Sequence, residues 1–227
     1  MESYERIMAS FLLLATAAFT VAGCSATESR RAIAVNTVQS RGTAYSGSKY
    51  RLVIGEFTNR SPYMSGIFSD DKDRLGAQAR NILMTHLSQS GRFVLMDRDN
   101  MENLATEAVY SGTKQSITGG QIVLTGAVTE FGRREVGRRD SIFHRSRTQT
   151  AYAKVTLSIV DVKTSQLQFS CQGAGEFDLT DRGVLGFGST AGYDATLADK
   201  VLNLAMIEAI DRLVEGLEDN EWTAVVE

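Results

Sequence analysis

The chain has 227 residues, of which 24 are basic and 27 acidic, and its formal net charge of −3 argues against bulk nucleic-acid binding. This length corresponds to one ordinary domain, and the 43% of hydrophobic residues are sufficient for a core. Beyond the N-terminal apolar run, no segment reaches the length of a transmembrane helix.

Residues 1–23 have the pattern of a secretory signal peptide, because the apolar run from Phe11 to Val21 is too short to span a bilayer. It ends in Val21-Ala22-Gly23-Cys24, which is typical of lipoproteins, so Cys24 is predicted to carry a diacylglycerol and a further acyl chain such as palmitate. The alternative is a short signal anchor with an incidental cysteine. Ser25, in place of an aspartate, predicts a lipid-anchored protein on the periplasmic face of the outer membrane.

The first folded elements follow a segment rich in Ser, Thr, Gly and Arg, residues 24–49, which is predicted to be a flexible tether. The aromatic and β-branched run Tyr50–Phe57 predicts a strand that begins the domain. A helix is then predicted from the acids at 71–73, which favour a helix start, to Gly91. Its apolar stripe consists of Leu75, Ala79, Ile82, Leu83 and Leu87.

The pattern continues with a strand at Phe93–Met96 and a short helix at 99–109, opened by a variant capping box. Gln121–Val128 predicts a buried strand. The period-two alternation of Ala151–Val162 predicts another, which turns into a partner strand at Gln166–Gln172. These elements predict an α/β fold in which helices flank a mixed sheet.

A long helix is predicted at Asp194–Leu217, followed by an acidic tail at 218–227. Its apolar face is wider than a helix needs to cover one sheet. We therefore expect it to pack on the sheet and against a neighbouring subunit, or else to be fully buried in its own domain. The second apolar edge, which creates this width, consists of Leu202, Met206, Ala209 and Val214.

Several strings resemble the CsgG/HfaB family, which includes the curli production assembly and transport component CsgG and the holdfast-anchor lipoprotein HfaB. The order and spacing of these strings behind the lipoprotein signal carry the resemblance, which extends over residues 50–217. The matching passages are Ala79–Phe93, Asp97–Leu104, Ile122–Gly126, Val155–Thr164 and Gly192–Lys200.

The resemblance implies an anticodon-binding-like periplasmic domain that assembles into a homo-oligomeric ring at the outer membrane. It also implies β-hairpin extensions that line a conduit, for which the candidates here are Phe131–Arg147 and Glu176–Gly192. In the family, the loop between the first strand and the first helix constricts the conduit. The corresponding residues are Tyr63, Met64, Ile67 and Phe68, although Ile67 and Phe68 would equally fit into the domain itself.

The first candidate hairpin is rich in arginine, and neither alternating set of its residues is apolar. One interpretation is contact with anionic lipid or lipopolysaccharide head groups, and the other is a solvated hairpin tip. The arginines concerned are Arg133, Arg134, Arg138, Arg139, Arg145 and Arg147.

Enzymatic motifs are absent from the sequence. Neither His86 nor His144 has metal ligands at the usual spacing, and no Gly-x-Ser-x-Gly elbow occurs. The glycine-rich run at 186–192 lacks the spacing of a phosphate-binding loop. We therefore expect a protein that is not an enzyme and that uses no cofactor or metal.

Two functions are consistent with this sequence. The first is a ring that assembles or secretes extracellular fibre or adhesin subunits, together with accessory assembly proteins. The second is a non-conducting periplasmic ring or adaptor that binds or activates an envelope enzyme or a polymer-export complex.

Overall fold

The computed structural model describes residues 35–63, 73–139, 144–184 and 196–223, and the chain from Asn36 onward forms one compact unit. The fold is mixed α/β, as predicted. Its strands are β1 (Tyr50–Asn59), β2 (Phe93–Met96), β3 (Ile122–Arg139), β4 (His144–Asp161) and β5 (Leu167–Val184). Its helices are α1 (Arg74–Ser90), α2 (Met101–Tyr110) and α3 (Thr196–Glu218).

The five strands form one mixed sheet in the order β2-β1-β3-β4-β5. Strand β1 runs parallel to its neighbours β2 and β3, because helical crossovers separate these strands in the sequence. Strand β4 runs antiparallel to both of its neighbours, β3 and β5. Their connections are short, which is the usual way to join antiparallel neighbours.

The core lies between one face of the sheet and the helices α1 and α3. Helix α1 begins where the Asp73 side chain accepts a hydrogen bond from the Gly76 amide at 2.7 Å, and it ends at Gly91, which adopts φ 68°. Its residues Leu83 and Leu87 are fully buried in the same cluster as the inward-facing strand residues. This face of the sheet is therefore covered by two helices.

Helix α3 is buried within its own domain. Met206 is 0% exposed and Val214 4%, and both belong to the core. The face is wide because α3 packs on β4 and β5 and also contacts α1. The expectation that a neighbouring subunit covers this edge of α3 is therefore wrong, and the alternative of a helix buried in its own domain is confirmed.

The folded unit extends beyond the predicted boundaries at both ends. Val38, within the predicted tether, is 2% exposed and belongs to the core, so the part of the tether from Asn36 onward is docked on the domain. In the predicted acidic tail, the Trp222 ring stacks on Phe93 at 6.3 Å, and its Nε1 donates to the Leu213 carbonyl. Neither contact could be predicted from the composition of these two segments.

Helix α2 has the predicted position but not the predicted cap. The Asn100 side chain makes no capping hydrogen bond. Instead, the Asp97 carboxylate accepts from the backbone amides of Asp99 and Asn100 at 3.0 and 3.2 Å. The turn before the helix is thus organised by Asp97, and the capping box predicted there is wrong.

Candidate functional site

Strands β3, β4 and β5 continue past the helix-covered part of the sheet as a three-stranded ribbon, which we define as residues 134–139, 144–150 and 178–184. Each of these strands has 18 residues, whereas strands of five or six are usual. Pairing between β3 and β4 is unbroken from Arg133↔Ala151 to Arg139↔Arg145. The candidate hairpin at Phe131–Arg147 is thus present as paired strands. The second candidate begins in β5, and its part at 185–192 lies outside the described residues.

The predicted head-group arginines fall at two levels of the ribbon. Four of them occupy the last three register positions, Gly137↔Arg147, Arg138↔Ser146 and Arg139↔Arg145. At the base, the guanidinium of Arg134 lies 3.8 Å from the carboxylate of Glu176, and the Arg134 side chain is 66% exposed. An exposed pair of this kind contributes little to stability, so it serves mainly to balance charge. The ribbon therefore concentrates its arginines at the far end.

Tyr63 is the member of the predicted constriction loop that lies within the described residues. Its ring contacts the Phe131 ring at a centroid distance of 4.6 Å, and its backbone carbonyl accepts a hydrogen bond from Asn59 Nδ2 at 2.8 Å. Tyr63 therefore packs at the base of the ribbon. Met64, Ile67 and Phe68 lie outside the described residues, as does the predicted lipidation residue Cys24.

The sheet face opposite α1 and α3 carries an apolar row that runs across four strands. The row, which we call the valine row, consists of register partners: Met96 beside Val53, Val53 beside Val123, and Val123 beside Val160. All four side chains are half-buried, and in the described parts of the chain no helix lies over them. Next to the row, the exposed Val94 is the register partner of Arg51.

Helix α2 stands apart from the rest of the fold. In the parts of the chain that the structure describes, none of its Cα atoms lies within 8 Å of another helix or strand, and none of its residues is buried. The helix exposes 43% of Leu104, 76% of Val109 and 79% of Tyr110. It is therefore an amphipathic helix without a packing surface among the helices and strands of the described chain.

A buried arginine joins the docked N-terminal segment to the end of α3. Arg92 is 4% exposed, and its guanidinium donates to Glu218 Oε1 and to the carbonyl oxygens of Ser40, Thr43 and Ser90. Its carbon atom Cζ also lies 5.0 Å from the centre of the Tyr45 ring. Burial raises the pKa of the Tyr45 hydroxyl, which keeps the ring neutral against the cation. We call this arrangement the Arg92 clasp.

Among the described residues, the remaining titratable groups do not form a catalytic constellation. Burial raises the pKa of the Cys171 thiol to about 11, so it is a poor nucleophile. His86 Nε2 lies 2.7 Å from Asn203 Oδ1 inside the helix layer. Among the described residues no group of three His, Cys, Asp or Glu side chains is arranged to hold a metal ion. None of the helices in this part of the chain has the length and hydropathy of a membrane span.

The sequence profile described as curli production assembly/transport component CsgG matches residues 30–226. This chain belongs to the CsgG family. A curated relative of this CsgG-family chain is the "Putative lipoprotein NMB1126/NMB1164" of Neisseria meningitidis serogroup B, which is 47% identical over 219 residues, covering 96% of this chain and 98% of the relative.

Solved structures resemble the domain more distantly. Lipoprotein GNA1162 from Neisseria meningitidis is 12% identical, with a TM-score of 0.36 over 75% of this chain and 99% of that one. Protein XCC0632 from Xanthomonas campestris is 10% identical, with a TM-score of 0.41 over 83% of this chain and 96% of that one.

The valine row and the isolation of α2 were not predicted from the sequence, although the apolar pattern of the strands indicates the row. Leu52-Val53-Ile54, Ile122-Val123-Leu124 and Ile159-Val160 are continuous apolar runs rather than alternating ones. Such runs are typical of strands that are covered on both faces. In the described chain the structure supplies helices for one face only, so no helix covers the second set of apolar side chains, which are half-buried.

Proposed function

We propose that this chain is an outer-membrane lipoprotein of the CsgG type, anchored through Cys24, whose copies form a ring that assembles or secretes extracellular fibre or adhesin subunits. The ribbon carries this proposal. It extends six register positions beyond Arg133↔Ala151, which is roughly 20 Å at the usual rise of a strand. Three paired strands that leave their helix layer need another surface to rest on.

The arginine-rich end of the ribbon supports contact with the membrane surface. Arg138, Arg139, Arg145 and Arg147 lie within three register positions, whereas β5 adds one acid there, Asp181 opposite Arg147. Clustered basic residues bind anionic head groups with about 1 kcal/mol per residue near the surface. We expect binding to vesicles that contain lipopolysaccharide, and a loss of binding when the four arginines are replaced by glutamine. The matched control is Arg212→Gln, which removes a cation on α3.

The anchoring part of the proposal is tested by fractionation of Cys24→Ser. We expect this variant to leave the outer membrane, because serine has no thiol to carry the diacylglycerol. Cys171→Ser is the matched control and should fractionate with the wild type, since Cys171 is buried in the core. If processed Cys24→Ser protein still co-sediments with outer membrane, the lipid anchor is disproved.

The ring is tested by electron microscopy of full-length lipoprotein extracted in detergent. Closed rings are the expected result, and particles the size of one subunit at all concentrations would overturn the ring. Conductance of the same material in planar bilayers tests the conduit. If Phe68 lines the constriction, Phe68→Ala should raise the single-channel conductance without loss of assembly.

A second function, the non-conducting adaptor ring, is favoured by one observation. The β3 segment of the ribbon, 134–139, reads Arg-Glu-Val-Gly-Arg-Arg and has a single large apolar residue, Val136. Lipid-facing strands require alternate apolar residues, because charged side chains at mid-membrane depth cost several kcal/mol. Rings without measurable conductance in either the wild type or Phe68→Ala would support this adaptor and reject the conduit.

A further inference from the structure

We infer that α2 of one copy packs on the valine row of the next copy, so that the chain associates head to tail. This inference rests on the proposed ring and specifies the two surfaces that would form it. Both surfaces belong to one chain, and within its described residues no other helix packs on either of them.

The first surface is the apolar stripe of α2. At 100° per residue, Met101, Leu104, Ala105, Ala108 and Val109 share an arc of about 140°. Leu104 and Val109 are 43% and 76% exposed. An isolated helix of ten residues is marginal in water, because helix stability in proteins comes mainly from packing of the apolar face. The stripe therefore needs a partner surface.

The second surface is the valine row, with Val94 at its edge. Val53, Val123 and Val160 lie side by side on adjacent strands, and Val94 is 42% exposed on the edge strand β2. Sheets that leave one face to solvent usually carry polar residues on that face, whereas here it carries the valine row. The covering helices α1 and α3 share the other face, so no helix lies over the row in the described residues. A helix from a second copy would supply a second layer.

Charge complementarity favours a second copy as the occupant. The stripe is bordered on one side by Glu102 and on the other by Glu107, both exposed. On the sheet, Arg51 stands beside the row, as the register partner of Val94, and its Nε donates to the Gly119 carbonyl at 2.9 Å. Helix acids would then meet a guanidinium at the rim of the contact, which sets the orientation of the helix.

The geometry of this contact predicts the form of the assembly. A helix that binds a different surface on its neighbour makes a heterologous interface, which is repeated from copy to copy and closes into a ring when the rotation permits. Every copy in the ring then uses its α2 once and its valine row once. An assembly that closes in this way leaves neither surface exposed.

The test uses two variants of the full-length lipoprotein extracted in detergent. Leu104→Glu disrupts the stripe, and Val123→Glu disrupts the row. Each variant alone should be monomeric by native mass spectrometry. When the two are co-expressed with different tags, one intact stripe and one intact row remain, so they should form a dimer with one copy of each and nothing larger.

Matched controls separate the interface from general damage. Tyr110→Glu places an acid on α2 on the side opposite the stripe, at a residue that is 79% exposed, and Gln172→Glu does so on β5 away from the row. Both should assemble as the wild type does. Circular dichroism shows whether Val123→Glu folds, and Val94→Glu, at a largely exposed edge position, is the second row variant.

Each outcome decides between the alternatives. If the wild type forms rings that Leu104→Glu and both row variants leave intact, this inference is wrong and the proposed ring stands. If Leu104→Glu disrupts assembly but Val123→Glu and Val94→Glu do not, α2 contacts another surface and the inference is equally wrong. A wild type that remains monomeric overturns both the inference and the ring.

Discussion

Arg92 makes two hydrogen bonds to one carboxylate oxygen of Glu218: the Nε and Nη2 atoms of Arg92 both donate to Glu218 Oε1, at 2.8 and 2.6 Å. The arginine side chain is 5% exposed and the glutamate side chain 41%. The pair therefore holds a buried cation against the last turn of α3, while backbone carbonyls satisfy the remaining donors. Loss of this arginine removes the guanidinium donor from the Thr43 and Ser90 carbonyls, whereas the Ser40 carbonyl keeps the Thr43 amide and hydroxyl as donors.

Arg92→Met is predicted to lower the free energy of unfolding by roughly 3 kcal/mol, because charge-assisted hydrogen bonds to buried acceptors are lost. Urea titration measures the change, and limited proteolysis should cut residues 36–49 earlier than in the wild type. The control Arg212→Met removes an exposed pair with Glu208 and should cost under about 1 kcal/mol. Equal effects of the two substitutions would show that the clasp does not hold the segment.

Gly173→Ala is predicted to destabilise the domain by about 3 kcal/mol, because overpacking displaces the α3 backbone. A Cβ atom at this position would lie 2.1 Å from the Ala205 carbonyl oxygen and 2.4 Å from the Ala209 amide nitrogen. Gly119→Ala is the control, since a Cβ there meets no atom within 4 Å, and its effect should stay within about 0.5 kcal/mol. Thermal unfolding of both variants measures the difference, and a stable Gly173→Ala protein would contradict the close approach of α3 to β5.

Asp211→Asn is predicted to raise the melting temperature at pH 7. Burial raises the folded-state pKa of Asp211 above its ordinary 3.8, while the hydrogen bond from the Gln39 amide lowers it in part. The folded state therefore binds more protons than the unfolded one above this pH, so the charged aspartate reduces stability as the pH rises. The gain should shrink as the pH falls toward 3.8.

The control for this prediction is Asp211→Ala, which removes both the charge and the acceptor of the Gln39 amide. It should gain less than Asp211→Asn at pH 7, because the amide at position 39 then lacks its partner. A gain for Asp211→Asn that does not depend on pH would reject the electrostatic explanation.

Cys171 is predicted to react about 100-fold more slowly with iodoacetamide in the folded protein than in denaturant at pH 8. Its pKa of about 11, against an ordinary 9.0, reduces the thiolate fraction by that factor. Mass spectrometry of the labelled lipoprotein measures the rate. In denaturant one cysteine should be labelled if Cys24 carries its thioether. Labelling of the native protein at the unfolded rate would show that Cys171 is accessible.

The positions of most elements followed from the sequence, because local signals determine them. The strand from Tyr50, the helix stop at Gly91 and the strand Phe93–Met96 were correctly placed by residue type and periodicity. The docking of residues 36–49 was not, since its contacts join distant positions: the Gln39 amide bonds to Asp211, 172 residues away. Composition reports how a segment behaves alone, and it carries no information about a partner elsewhere in the chain.

The candidate surfaces, too, were predictable where they depend on local sequence and unpredictable where they combine distant residues. The arginine-rich hairpin could be located from sequence, because its two strands follow each other in the chain and pair with each other. The valine row could not, because it combines residues from four strands whose registers the sequence does not specify. The face of α3 was misassigned for the related reason that its width reflects contacts with both α1 and the sheet.

Under the proposed anchoring at Cys24, the Arg92 clasp would also limit the length of chain between lipid and domain. From Cys24 to Asn36, where the compact unit begins, the chain takes twelve residue steps, which reach at most about 43 Å when fully extended. Release of the segment up to Tyr50 would give twenty-six steps and about 94 Å. Under the proposed anchoring and ring assembly, the clasp would more than halve the largest distance between lipid and domain, so that copies would meet closer to the membrane.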